Sequence, residues 1–126
     1  MPPLPRAEQP LDVDVLRSWP LPADDQHDKR RRGTVLVIGG SDRTPGAVLL
    51  AGIAALRSGA GRLQIATAPE VAAAVAVAVP EALVTSIDDD RRPTLADLVA
   101  AADSVVVGPG LTDREQTDRL VALVLE

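Results

Sequence analysis

The stretch VLVIGGSDRTPGA, residues 35–47, runs four aliphatic residues into a glycine pair, a polar turn and a proline-glycine step. A short, unbroken run of valine, leucine and isoleucine reads as a strand buried on both faces, the kind found in a parallel sheet covered by helices. Pro45 or Gly46 then opens a helix, because a missing amide proton or side chain is tolerated in a first turn. Working outward, the same strand-then-helix step recurs. RLQIAT (62–67) precedes PEVAAAVAVAV (69–79), EALVTSI (81–87) precedes TLADLVAAA (94–102), and SVVVGPG (104–110) precedes DREQTDRLVALVLE (113–126). Four βα units over residues 34–126 predict an α/β fold: a doubly wound parallel sheet with helices on both faces.

Local signals refine that reading. In the first of these helices Leu49, Leu50, Ile53, Ala54 and Leu56 are expected to form the buried stripe, and Gly59 stands where a left-handed residue ends a helix. Thr94 with Asp97 makes a cap pair for the helix over 94–102. The Ala/Val alternation of residues 71–79 fits a strand as well as a helix, and Pro69 with Glu70 favours helix. Residues 88–93, DDDRRP, read as a solvated acidic turn.

The chain has 126 residues, 46% of them hydrophobic, and a formal charge of −5, which places it with small globular domains. An acidic balance offers no phosphate-neutralising face, and the basic cluster Lys29–Arg32 reads as a solvated run, so nucleic acid is set aside. The absence of cysteine excludes a disulfide framework and thiolate metal sites and suits a cytoplasmic location. The start lacks a basic region followed by an apolar run, and the longest apolar run, near residues 71–79, is too short for a bilayer, so neither secretion nor a membrane is expected. Residues 1–33 form a proline-rich, charged leader. Its short apolar patch, Leu11, Val13, Val15, Leu16 and Trp19, is expected to make one or two helical turns docked by the tryptophan.

Two glycine loops, Gly39-Gly40-Ser41 and Gly108-Pro109-Gly110, follow predicted strands and so fall at the carboxyl ends of the sheet, where ligands of open α/β folds bind. Glycine there lets backbone amides approach a phosphate or ribose, and the following helix adds a partial positive charge. The same glycines also suffice for tight βα turns without any ligand. Neither a P-loop nor a G-x-G-x-x-G fingerprint is present. The lone histidine, His27, sits among charges in the leader, so no nucleophile-histidine-acid set assembles.

Taken together, KRRRGTVLVIGGS (29–41), TPGAVLLAGIAALRSGAGRLQIAT (44–67), VPEALV (79–84) and ADSVVVGPGL (102–111) resemble the first half of the ADP-dependent NAD(P)H-hydrate dehydratases, lyases of the ribokinase-like superfamily. The leader segment LRSWPLP (16–22) is similar too. The resemblance implies an incomplete nucleotide-binding domain over 34–126. It implies repair of the S epimer of hydrated NADH or NADPH, with ADP and Mg2+ as cofactors: the added hydroxyl is phosphorylated before phosphate is lost. The family's contacts to the hydrated dinucleotide fall on Ala47 and Gly110, with Gly108, Gly40 and Ser41 as further candidates. The family's later elements, a histidine-containing loop, a lysine-glycine loop and a G-T-G-D segment whose aspartate is the base, do not occur among these residues. Asp42, Asp88, Asp89 and Asp90 are no substitute, because a general base must be held within hydrogen-bond reach of the substrate hydroxyl. The resemblance therefore implies a chain without its own catalytic residue. Such a chain would act with a complementary C-terminal partner, self-associate, or serve as a non-catalytic nucleotide-binding module; a ribokinase-like small-molecule kinase fragment is a further alternative. The closing helix is expected to present Leu120, Val121, Leu123 and Val124 to a sheet whose last strand keeps an unfilled edge.

Overall fold

The computed structural model describes residues 12–19, 32–88 and 94–125. Leu11, His27, Lys29–Arg31 and most of the acidic turn after Asp88 lie outside them. In chain order the elements are α1 (Val13–Ser18), β1 (Thr34–Ile38), α2 (Pro45–Arg57), β2 (Arg62–Thr67), α3 (Pro69–Ala78), β3 (Ala82–Ser86), α4 (Leu95–Ala101), β4 (Ser104–Val107) and α5 (Arg114–Leu125). The four strands are parallel and lie side by side as β3-β2-β1-β4.

That order explains the core. The chain steps outward from β1 to β3 through α2 and α3, then returns through α4 to the far side of β1. Right-handed crossovers that run in opposite directions along a sheet put their helices on opposite faces. One core cluster accordingly packs Val37, Leu63 and Ile65 against Val48 of α2 and Val75 of α3. The other packs Leu36, Ile38 and Ala66 against Leu98 of α4 and Leu120 of α5. Leu36, Val37 and Ile38 are each 0% exposed, so β1 is covered on both faces, as its unbroken aliphatic run requires.

The helix ends follow from sequence. Pro45 occupies the first turn of α2, and Gly59, at φ +103°, closes it. There the Ala60 N–H donates to the Ala55 carbonyl and the Gly59 N–H to the Leu56 carbonyl, both at 3.1 Å, the paired closure that a left-handed glycine permits. Pro69 decides the ambiguous 71–79 segment in favour of helix. Thr94 and Asp97 cap α4 reciprocally: the Thr94 N–H donates to Asp97 Oδ2 at 2.9 Å, and the Asp97 N–H to Thr94 Oγ1 at 3.3 Å.

Three expectations need correction. In α2 the buried residues are Val48 and Gly52, whereas Leu50 is 71% exposed and Ala54 is also exposed. The reason is Gly52: a Cβ there would stand 3.1 Å from Leu63 Cδ2 and 3.2 Å from Ile65 Cδ1. The helix lies down on that bare position and turns Leu50 and Ala54 outward. Trp19 is 59% exposed and does not anchor α1. In α5, Leu120 is buried and Val124 packs beside it, while Val121 faces outward at 39% exposure; burial one turn apart selects a single line along the helix. β4 is an edge strand, and Val106, on the face opposite Val105 and Val107, is 43% exposed. No helix of the described residues is long and apolar enough to cross a membrane.

Leu36→Ala should therefore lower unfolding free energy by about 2–5 kcal/mol, while Leu50→Ala should change it by no more than about 0.5 kcal/mol. Urea denaturation of both variants checks this; equal losses would contradict the orientation of α2.

Candidate functional site

The strand order reverses between β1 and β4. From β1 one crossover leads away through α2 and another returns through α4, so the carboxyl ends of β1 and β4 flank a topological switch point, the place where open α/β sheets receive ligands. Ile38 is in register with Val107, and the two glycine loops leave the sheet at the same level. Sequence alone puts both loops at one edge; the strand order makes them neighbours.

Backbone bonds join them. The Gly40 N–H donates to the Pro109 carbonyl at 2.7 Å, the Gly108 N–H to the Ile38 carbonyl at 3.0 Å, and the Gly39 N–H to the Ala66 carbonyl of β2 at 2.9 Å. A side chain on Gly39 would collide with the Pro109 carbonyl. Glycine is thus required at Gly39 by the approach of the second loop, with no need to invoke a ligand.

A second set of contacts runs through hydroxyls. Thr44 Oγ1 donates to the Gly110 carbonyl at 2.8 Å, and Thr44 Oγ1 and Ser41 Oγ are 2.7 Å apart. A threonine hydroxyl has one proton and a carbonyl has none to give, so Ser41 is the donor to Thr44. Gly110 adopts φ +74°, and a Cβ there would lie 2.6 Å from the Thr44 carbonyl oxygen and 3.0 Å from Ala47 Cβ. Ala47 and Gly110 consequently face each other, half-buried, where α2 begins. Gly108, at φ +125°, has open space where a side chain would be.

Next to this junction lies a crevice of about 270 Å3, bordered by Gly40, Ser41 and Asp42, by Ala68 and Glu70 at the start of α3, and by Thr112 and Gln116 at the start of α5. Of the residues singled out in the sequence, Gly40 and Ser41 border it; Ala47, Gly108 and Gly110 belong to the loop junction beside it. Thr44, Glu70, Thr112 and Gln116 were not singled out, because their positions depend on which strands are neighbours. A threonine directly before the helix-opening proline was the one available signal for Thr44. The first turns of α2 and α3 carry no side-chain cap and each begins on a proline without an N–H; the Ala47 N–H donates to the Thr44 carbonyl at 3.3 Å and the Val71 N–H to the Ala68 carbonyl at 3.1 Å, whereas Asp113 Oδ1 accepts the Gln116 N–H of α5 at 2.6 Å. Asp42 and Glu70 are exposed, and among the described residues no three His, Cys, Asp or Glu side chains converge as a metal site.

The sequence model of the NAD(P)H-hydrate dehydratase family matches residues 35–126. An ADP-dependent (S)-NAD(P)H-hydrate dehydratase of Xanthomonas campestris is 46% identical over 119 residues, 89% of this chain and 41% of that protein. Among solved structures, a ribokinase-like superfamily protein of Enterococcus faecalis superposes with a TM-score of 0.74 at 28% identity, over 91% of this chain and 40% of that one. The ADP/ATP-dependent NAD(P)H-hydrate dehydratase of Bacillus subtilis, co-crystallised with ATP and Mg2+, superposes with a TM-score of 0.67 at 33% identity, over 88% of this chain and 39% of that one. The chain thus spans 41% of the length of the Xanthomonas relative.

The loop junction makes a graded prediction. Gly108→Ala carries only the cost of a positive-φ backbone, about 1–3 kcal/mol. Gly110→Ala adds a collision with the Thr44 carbonyl and should destabilise more, and Gly39→Ala should do so through the Pro109 carbonyl alone. Denaturant midpoints for the three variants test the ranking, and a mildest effect at Gly39 would contradict it.

Proposed function

The chain belongs to the NAD(P)H-hydrate dehydratase family, and from that premise we propose that its β1–β4 edge receives a hydrated nicotinamide dinucleotide, as the substrate-facing part of an ADP-dependent dehydratase acting on the S epimer. One observation carries the proposal: two glycine loops are bonded to each other at the switch point, beside a crevice that Gly40 and Ser41 border. The facing pair Ala47 and Gly110 presents little side-chain bulk. The first turns of α2 and α3, which no side chain caps, add partial positive charge that favours an anionic ligand. Ser41, a donor to Thr44, keeps its oxygen lone pairs available toward the crevice.

The chemistry divides accordingly. Phosphorylation turns the added hydroxyl into a leaving group, and its departure with a neighbouring proton restores the ring double bond; the step needs a base held against the substrate. Asp42 and Glu70 stand exposed at the crevice and are not held in that way. The base therefore belongs in this proposal to sequence beyond these 126 residues or to a second chain, and ADP and Mg2+ would act with it. Among the described residues β4 is an edge strand and Val106 is 43% exposed, and a complementary chain would extend the sheet there. The absence of a positioned base favours one second reading, a module that binds the dinucleotide and leaves catalysis to others.

Two measurements on the 126-residue chain test this. With hydrated NADH, ADP and Mg2+, dehydration should stay at the blank rate, since a missing base alone removes about 10²- to 10⁴-fold. In an amide NMR titration with hydrated NADH, shifts should concentrate in residues 39–47 and 108–116. Turnover above the blank would overturn the division of chemistry, and shifts confined to other surfaces would overturn the site.

A further inference from the structure

Thr67 ends β2 directly beneath the loop junction. It is 0% exposed, and its Oγ1 is a buried hydroxyl without a hydrogen-bond partner. The position a Cβ would take on Gly40 lies 2.5 Å from that oxygen and 3.0 Å from Val48 Cγ1. Gly40 is therefore the roof over the hydroxyl and, on its other side, a wall of the crevice. The Thr67 backbone is committed: its carbonyl accepts the Ile87 N–H at 2.8 Å, and its Cα is in register with Ser86 of β3.

Leaving a buried hydroxyl unpaired is unfavourable, and valine would fill nearly the same volume without that burden. Other hydroxyls near this end of the fold are bonded or solvent-exposed: Thr44 bonds to Gly110, Ser41 to Thr44 and Thr94 to Asp97, and Thr112 is exposed. The one other unpartnered buried side-chain atom among the described residues is Gln64 Oε1. Gln64 lies in register with Leu36, mid-strand, on the opposite face and away from the crevice. Only Thr67 joins an unmade hydrogen bond to the loop that would touch a ligand.

We propose that Thr67 is a positioning residue of the dinucleotide site, whose hydroxyl acquires its hydrogen-bond partner when a ligand settles against Gly40 and Ser41. The proposal rests on the dinucleotide reading of this edge. On it, the free chain holds the hydroxyl unsatisfied, and binding relieves that by fixing the Gly40 peptide or a bridging water over it. Stability of the free chain and affinity for the ligand then depend on this group in opposite directions.

The test uses the 126-residue chain, titrated calorimetrically with hydrated NADH and unfolded in urea without ligand. Thr67→Val should raise the urea midpoint and weaken binding about tenfold, equivalent to about 1.4 kcal/mol. Thr67→Ser keeps the hydroxyl and loses the methyl, so it should lower the midpoint and leave affinity at the unsubstituted level. Gln64→Leu should leave affinity unchanged. Wild-type affinity in Thr67→Val overturns the proposal and leaves the dinucleotide site standing, and so does an equal loss in Thr67→Val and Thr67→Ser, which would mark a packing role. Absence of binding by the unsubstituted chain overturns the dinucleotide reading and this proposal with it.

Discussion

The bond from the Gly40 N–H to the Pro109 carbonyl ties together two loops separated by three crossovers and more than half of the chain. It exists because β4 returns to the free side of β1, and because Gly39 leaves the Pro109 carbonyl room to approach. Around it the other contacts take their places: Thr44 reaches the Gly110 carbonyl, Ser41 reaches Thr44, and Ala47 meets Gly110. A side chain at Gly39 would push the loops apart and open the crevice wall. The sheet edge is thus built chiefly of backbone, which leaves little lateral bulk there, and the Gly39, Gly40 and Gly108 N–H groups are spent on holding the loops together.

The parts of this arrangement legible in the sequence were those set by local rules. An aliphatic run ending in glycine, proline in first turns and the Thr94–Asp97 pair depend on neighbours a few residues away, and each took the expected form. The two glycine loops could be assigned to one edge because parallel strands share a direction. What could not be read was rotation and adjacency. Gly52, an unremarkable helical glycine in sequence, sets the roll of α2 and sends Leu50 outward, because its missing side chain fits over Leu63 and Ile65. Thr44 and Thr67 gain their significance from strand order alone. Trp19 shows the reverse error: a large aromatic residue in a short amphipathic segment suggested an anchor, and α1 leaves it 59% exposed.

Coverage by the relatives gives the uncovered surfaces a context. The chain spans 41% of the Xanthomonas dehydratase, and among the described residues β4 is an edge strand of the sheet. Val106 and Leu125, at 43% and 80% exposure, lie on the two elements nearest that edge. Exposed aliphatic residues and an open edge strand are features proteins ordinarily cover. The β1–β4 junction is different: its loops are already bonded to each other beside the crevice that Gly40 and Ser41 border. On the proposed reading, binding at this edge would be separable from catalysis on the bound ligand.

The most direct measurement is a crystal structure of this chain with hydrated NADH. The account predicts the dinucleotide lying across Gly39–Ser41 and Gly108–Gly110, with part of it in the crevice beside Glu70 and Gln116. A dinucleotide bound elsewhere on the chain, with the loop junction untouched, would contradict it.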